Sequence, residues 1–156
     1  MFVDAETRLW NAVALTVGTA VSTNGYDLGA DAVTSATRRD PSQGNPLVVV
    51  VTVGVTAVTS AAETYEFDVV QADNDALTSN KVVLAQYPFT NTQAAALLKA
   101  GAIIVLPIPQ GSVTKRYLGV QGVLTGGASA ITVTAWITSA DQVQAVKYYG
   151  TLIQVL

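Results

Sequence analysis

Apolar residues recur at every second position along much of this chain, which is the spacing that puts side chains on one face of a β-strand. The segment NPLVVVVTVGVTAVTS, residues 45–60, has the longest such row. One face is predicted to enter a core and carries Leu47, Val49, Val51, Val53 and Val55. The other face is apolar at Val48 and Val50 and then turns to threonine and glycine, so something must cover its first half. Another part of the same domain or a partner chain could do so.

Further strands follow from the same spacing. TYEFDVV places Tyr65, Phe67 and Val69 inward and Thr64, Glu66 and Asp68 outward. KVVLAQYPF and AIIVLPIPQG end at prolines, and two more strands flank Gly126-Gly127. The segment from Val13 to Val21 and the tail QAVKYYGTLIQVL are also strand-like.

Helix and turn signals are few. DAETRLWNAVAL could form a short helix capped by Asp4, because Leu9, Trp10 and Val13 fall on one helical stripe. NTQAAALLKAG predicts one or two helical turns, with Asn91 as the cap and Gly101 as the stop. Asn24-Gly25 is a hairpin signal, and residues 30–46 read as the longest and most exposed loop.

Seven to nine short strands separated by turns predict an all-β fold. We expect an antiparallel two-sheet sandwich of the jelly-roll type, with one short helix between strands. Its 156 residues suit a single domain, 1–156, in which residues 1–14 form an arm or a short helix.

The composition of the chain limits the kinds of partner that it is expected to bind. The chain has 24 valines and 19 threonines, charged residues are 12%, and the net charge is −3. No basic surface for nucleic acid is expected, and no apolar run approaches the roughly 18 residues of a membrane span. The N-terminus MFVDAETRLW is acidic where a signal peptide is basic, so synthesis in the cytoplasm is expected. Much apolar surface with little charge favours association into an oligomer or a larger assembly.

The chemistry available to the chain is limited because it has no histidine and no cysteine. Ser-His-Asp and Cys-His catalysis and histidine metal sites are thereby excluded. Glu66 and Asp68, about 7 Å apart on one strand face, could serve glycoside hydrolysis, but a solvated strand face explains them better. Asp73-Asn74-Asp75 opens like a calcium loop yet lacks its glycine and terminal glutamate. We expect no enzyme, no catalytic residue, no metal and no cofactor.

Trp136 stands out because AITVTAWIT puts it on the threonine face of its strand, opposite Ile131, Val133, Ala135 and Ile137. It could be a glycan-stacking platform, a subunit contact, or a residue covered by the tail or the N-terminal segment. Tyr148 and Tyr149 in KYYGTLIQVL add to an apolar contact zone.

Four stretches of the sequence point to a known family: DAETRLWNAVAL leading into STNGYDLG, the long polar loop, PIPQGS and RYLGV. In these the chain resembles the small capsid cement proteins of tailed bacteriophages, the Bbp16-like group. The resemblance spans most of the chain. It implies a jelly-roll protein on the capsid exterior of the virion that joins neighbouring copies of the major capsid protein and acts as a dimer. No catalytic residues come with that group.

Candidate contact residues for such a role are Phe2, Trp10, Trp136, Tyr148 and Tyr149. The main alternative is a non-catalytic carbohydrate-binding sandwich of a phage tail or cell-surface protein, with Trp136 and tyrosines as its platform.

Overall fold

A computed structural model describes residues 7–29, 46–57, 62–109, 111–127, 130–146 and 152–154. Over these ranges the chain forms ten strands and two short helices. In chain order they are β1 (Arg8–Leu15), β2 (Gly18–Val21), β3 (Tyr26–Asp27), β4 (Leu47–Ala57), β5 (Thr64–Ala72), β6 (Val82–Thr90), α1 (Asn91–Leu97), β7 (Ile103–Pro107), β8 (Tyr117–Thr125), β9 (Ala130–Ser139), α2 (Ala140–Val146) and β10 (Leu152–Gln154).

The strands form two sheets packed face to face. Sheet A has the order β1-β9-β4-β7-β10, and sheet B has the order β2-β8-β5-β6, with β3 also paired to β8. All pairings are antiparallel except that of β10 with β7. The chain crosses repeatedly between the sheets, as in the two Greek keys of a jelly roll. The predicted all-β sandwich is therefore confirmed.

The core lies between the inner faces of the two sheets. From β5, Tyr65, Phe67 and Val69 are fully buried, as their alternation predicted. Phe67 meets Phe89 of β6 edge to face, with ring centroids 6.2 Å apart. Each large side chain buried in this way contributes about 1.5–3 kcal/mol of hydrophobic stabilisation.

A β-bulge at Gly54 changes the phase of the long valine strand. Val53 pairs with Val133 of β9, but Val55 pairs with the next residue, Thr132, so Gly54 is the extra residue. Val55 is 63% exposed as a result. Its predicted place in the core row is therefore wrong.

The N-terminal prediction of a helix is also wrong where the structure describes the segment, because Arg8–Leu15 is strand β1. Register shifts between Arg8 and Trp10 and between Trp10 and Val13 interrupt its pairing with β9. These bulges let the neighbours Leu9 and Trp10 both be buried, which a regular strand would not allow. The spacing of the apolar residues therefore resembles that of a helix.

Asn24-Gly25 does not close a hairpin. Strands β2 and β3, which flank it, both pair with β8, so the dipeptide interrupts one edge of sheet B. Gly25 is needed there because a Cβ would lie 2.9 Å from the backbone oxygen of Asp75.

Helix α1 lies between β6 and β7 as predicted, but its cap is Thr90 rather than Asn91. The Thr90 side chain accepts from the backbone of Gln93, and the Gln93 side chain accepts from the backbone of Thr90. The helix ends at Leu97, ahead of Gly101. Helix α2 was not predicted, and its last three residues, 144–146, fall in the segment that read as a strand-like tail.

Candidate interaction surfaces

The first half of the outer face of sheet A is covered by the protein itself. Trp136 forms a small apolar cluster there, the Trp136 cluster, whose other buried members are Val48, Val50, Val105 and Val143. Val143 belongs to α2, which follows β9 directly and folds back over the sheet. The cover expected for Val48 and Val50 is thus supplied by another part of the same chain.

Trp136 is consequently not a surface anchor. It does point to the face opposite Val133 and Ala135, as predicted, but it is only 6% exposed. Its indole Nε1–H has no hydrogen-bond acceptor among the residues that the structure describes. Of the three roles considered, burial beneath the C-terminal segment is the one found.

Trp10 lies in the main core and is 1% exposed, so its predicted role as a partner contact is wrong. Its Nε1 donates to the backbone oxygen of Val21 over 3.2 Å, which links β1 of sheet A to β2 of sheet B. The cause is the irregular pairing of β1, which turns the indole inward. Phe2, Tyr148 and Tyr149 lie outside the described residues.

The second half of the outer face of sheet A is left uncovered by the residues that the structure describes. We call it the Val55 patch: Thr52, Gly54, Val55, Thr132 and Thr134. Thr52 Oγ1 donates to the Thr134 backbone oxygen over 3.2 Å, and Thr134 Oγ1 accepts from the Ala12 backbone over 3.0 Å. Val55 has the largest exposed fraction of any large hydrophobic residue in the described ranges. The sequence missed it because the Gly54 bulge is not visible in the alternation.

The outer face of sheet B is half covered too. The loop between β5 and β6 places Leu77 over Val70 and Ala72, with Val21 and Tyr117 beside them. Leu77 is fully buried. Gly119 makes this close approach possible, because a Cβ there would lie 2.2 Å from Leu77 Cδ1.

Beside this apolar half, polar side chains form a row across sheet B. Lys81 Nζ donates to Gln121 Oε1, and Gln121 Nε2 donates to Asp68 Oδ2 over 2.9 Å. Asp68 is also within hydrogen-bonding reach of Glu66, and Gln86 Nε2 donates to Glu66 Oε1 over 3.2 Å. We call these five residues the polar row.

Asp68 is the unusual member of the row, since it faces outward from the sandwich yet is 1% exposed. Burial, followed by the negative charge of Glu66, raises the pKa of Asp68 to about 6, although the hydrogen bond from Gln121 opposes the shift. The expectation of a solvated strand face is therefore wrong at this position. The alternation along β5 carries no signal of this burial, because the residues that cover Asp68 come from other strands and a loop.

The geometry of this pair does not match glycoside hydrolysis. Glu66 and Asp68 lie within hydrogen-bonding reach of each other, whereas a retaining glycosidase needs its two carboxyl groups roughly 5 Å apart. An inverting glycosidase needs an even larger separation.

The calcium-like loop is held by its own hydrogen bonds. Asn74 Oδ1 accepts from the backbones of Thr78 and Ser79 over 3.0 and 2.8 Å. Asp73 binds Lys115 Nζ over 2.8 Å, which lowers the pKa of Asp73, and Asp75 Oδ1 accepts from the Gly25 backbone. No group of three or more metal-ligating side chains occurs within the described ranges.

The basic pair Lys115-Arg116 is structural in the same way. Arg116 makes two hydrogen bonds of 2.7 Å to the carboxylate of Asp27, and this lowers the pKa of Asp27. The guanidinium also lies 5.1 Å from the centre of the Tyr117 ring. Together these contacts fix β3 to β8.

Among the helices that the structure describes, none has the length and apolar character required to cross a membrane.

The fold and its surfaces define a class: a jelly-roll sandwich with two broad outer faces, of which the described residues cover one half each. Residues 10–137 match the sequence profile of the Bbp16 family, and the chain belongs to that family. A comparison with curated proteins found no matching sequence.

Proposed function

We propose that the protein is a capsid cement protein that binds the outer surface of a tailed-phage head and joins neighbouring major capsid proteins. Membership of the Bbp16 family over residues 10–137 is the observation that carries this proposal. The jelly-roll fold and the low content of charged residues are in keeping with it. The protein acts as a dimer on the exterior of the virion, without a cofactor and without catalysis.

The Val55 patch is the contact surface that we propose in place of the two tryptophans. It combines an apolar side chain that is 63% exposed with hydroxyl groups, and its members include no charged residue. Docking a flat sheet face of this kind removes apolar area from water without desolvating ions. An interface of ordinary size buries about 1,600 Å², and repetition over the capsid makes modest affinities collectively large.

Binding to heads tests the function. Purified protein is mixed with phage heads that lack it, and the heads are sedimented. Bound protein that saturates with concentration supports the proposal, and no binding by the folded wild-type chain rejects it.

Val55→Asp tests the surface. A charge buried without a partner costs at least about 1.4 kcal/mol, so the affinity for heads should fall about tenfold or more. Val82→Asp is the matched control, because Val82 is 43% exposed but lies on β6 of sheet B. Normal binding by Val55→Asp, or equal loss in both variants, would reject the Val55 patch while leaving the cement role intact.

The carbohydrate-binding alternative has less support. Its platform combined Trp136 with tyrosines. Trp136 is buried under α2, and Tyr148 and Tyr149 lie outside the described residues. Threonine hydroxyls alone do not provide a stacking surface for a sugar ring.

A further inference from the structure

The centre of the polar row lacks one hydrogen bond. As two carboxylates, Glu66 and Asp68 can only accept, so neither can donate to the other. Asp68 Oδ1 is accordingly buried without a partner among the described residues, although Glu66 is within hydrogen-bonding reach. A buried oxygen in this state is costly, and a proton on either group would remove the cost.

We propose that Glu66 and Asp68 form a proton-binding pair, in which one hydrogen is shared between the two carboxyl groups and sets the charge of the outer face of sheet B. With this proton in place, the row from Lys81 through Gln121, Asp68 and Glu66 to Gln86 is hydrogen-bonded throughout. This pairing does not depend on the proposed function.

Few other charges act on the pair. Strand β5 contributes only Glu66 to the surroundings of Asp68, and the loop before β6 contributes Lys81. The neighbouring positions on β8 and β6 are the amides Gln121 and Gln86, which do not titrate. The positive charge of Lys81 lowers the pKa of Asp68, but burial and Glu66 outweigh it. Asp68 therefore takes up its proton in mildly acidic solution.

The sign of the effect on stability follows from the direction of the shift. The pKa of Asp68 is about 6 in the folded protein, against an ordinary value of 3.8 for an aspartate in the unfolded chain, so the folded protein binds the proton more tightly. The stabilisation of the folded state that comes from the raised pKa of Asp68 is fully present below about pH 4. It falls as the pH rises towards 6 and is absent above that. Asp27 and Asp73 act oppositely, since their lowered pKa values favour the folded state above about pH 4.

Carbon-13 NMR of the side-chain carboxyls measures the pair directly. In the wild-type protein Asp68 should titrate near pH 6, and Glu66→Gln should move this titration to lower pH, because the second negative charge is gone. Titration of Asp68 below about pH 4.5 in the wild type would overturn the proposal, as would a titration that Glu66→Gln leaves in place.

Asp68→Asn provides a second readout. The amide can donate to Glu66 at every pH, so the urea midpoint between pH 5 and 8 should become nearly constant and exceed that of the wild type at pH 8. Asp73→Asn is the matched control, because Asp73 pairs with Lys115 at the surface and should keep the wild-type profile over this range. If the urea midpoint of Asp68→Asn still fell with rising pH as much as that of the wild type, the shared proton would be contradicted.

Discussion

The two tryptophans show how the surroundings of a single residue decide its role. Both are large apolar side chains on strands, and both are buried, but only Trp10 has a partner for its indole N–H within the described residues. The Trp10 donor reaches Val21 across the sandwich, whereas Trp136 lies among valines under α2. A buried N–H without an acceptor among the described residues costs stability at Trp136.

This difference predicts unequal effects of the same substitution. Trp10→Phe and Trp136→Phe remove the same atoms, but among the described residues only the first also removes a hydrogen bond. We expect Trp10→Phe to lower the free energy of unfolding by about 1 kcal/mol more than Trp136→Phe. Urea denaturation followed by circular dichroism measures both, and an equal or reversed loss would contradict the assignment.

At the scale of elements, alternation predicted the strands well wherever pairing is regular. Strand β5 has its core face as expected, and α1 lies in the predicted segment between β6 and β7, although its cap is Thr90 and not Asn91. Two of the failures fall where pairing is irregular. The bulges of β1 imitate helical spacing, and the bulge at Gly54 moves Val55 from the core to the surface. Bulges depend on the partner strand, which one sequence does not reveal.

Helix α1 depends strongly on its capping box, because seven residues are too few for a helix to be stable by itself. Thr90→Ala should cost about 1 kcal/mol in the free energy of unfolding. Thr92→Ala is the control, since Thr92 is exposed within the same helix, and it should stay within about 0.5 kcal/mol of the wild type. Equal effects in thermal or urea unfolding would argue against the capping box.

The candidate surfaces were harder to predict than the strands for a related reason. Sequence showed that Glu66 and Asp68 share a face, but the burial of Asp68 depends on residues brought from β8 and from the loop before β6. Likewise, the position of Trp136 on the outer face was predicted, whereas its cover was found only in the folded chain.

For the whole molecule, both outer faces of the sandwich follow one plan. One half of each is sealed by a short segment of the chain, α2 on sheet A and the Leu77 loop on sheet B. The other halves are the Val55 patch and the polar row, which differ in character. The first is apolar with hydroxyls, and the second holds carboxylates and amides. This contrast is consistent with the two roles that we propose, docking at the Val55 patch and proton binding at the polar row.

A cryo-electron microscopy reconstruction of heads saturated with the protein, compared with heads that lack it, is the most direct test of the cement role. We expect added density on the outside of the shell that fits the jelly roll and contacts at least two neighbouring capsid subunits, with the Val55 patch towards the shell. Identical reconstructions, or density confined to the interior or to the tail, would contradict it.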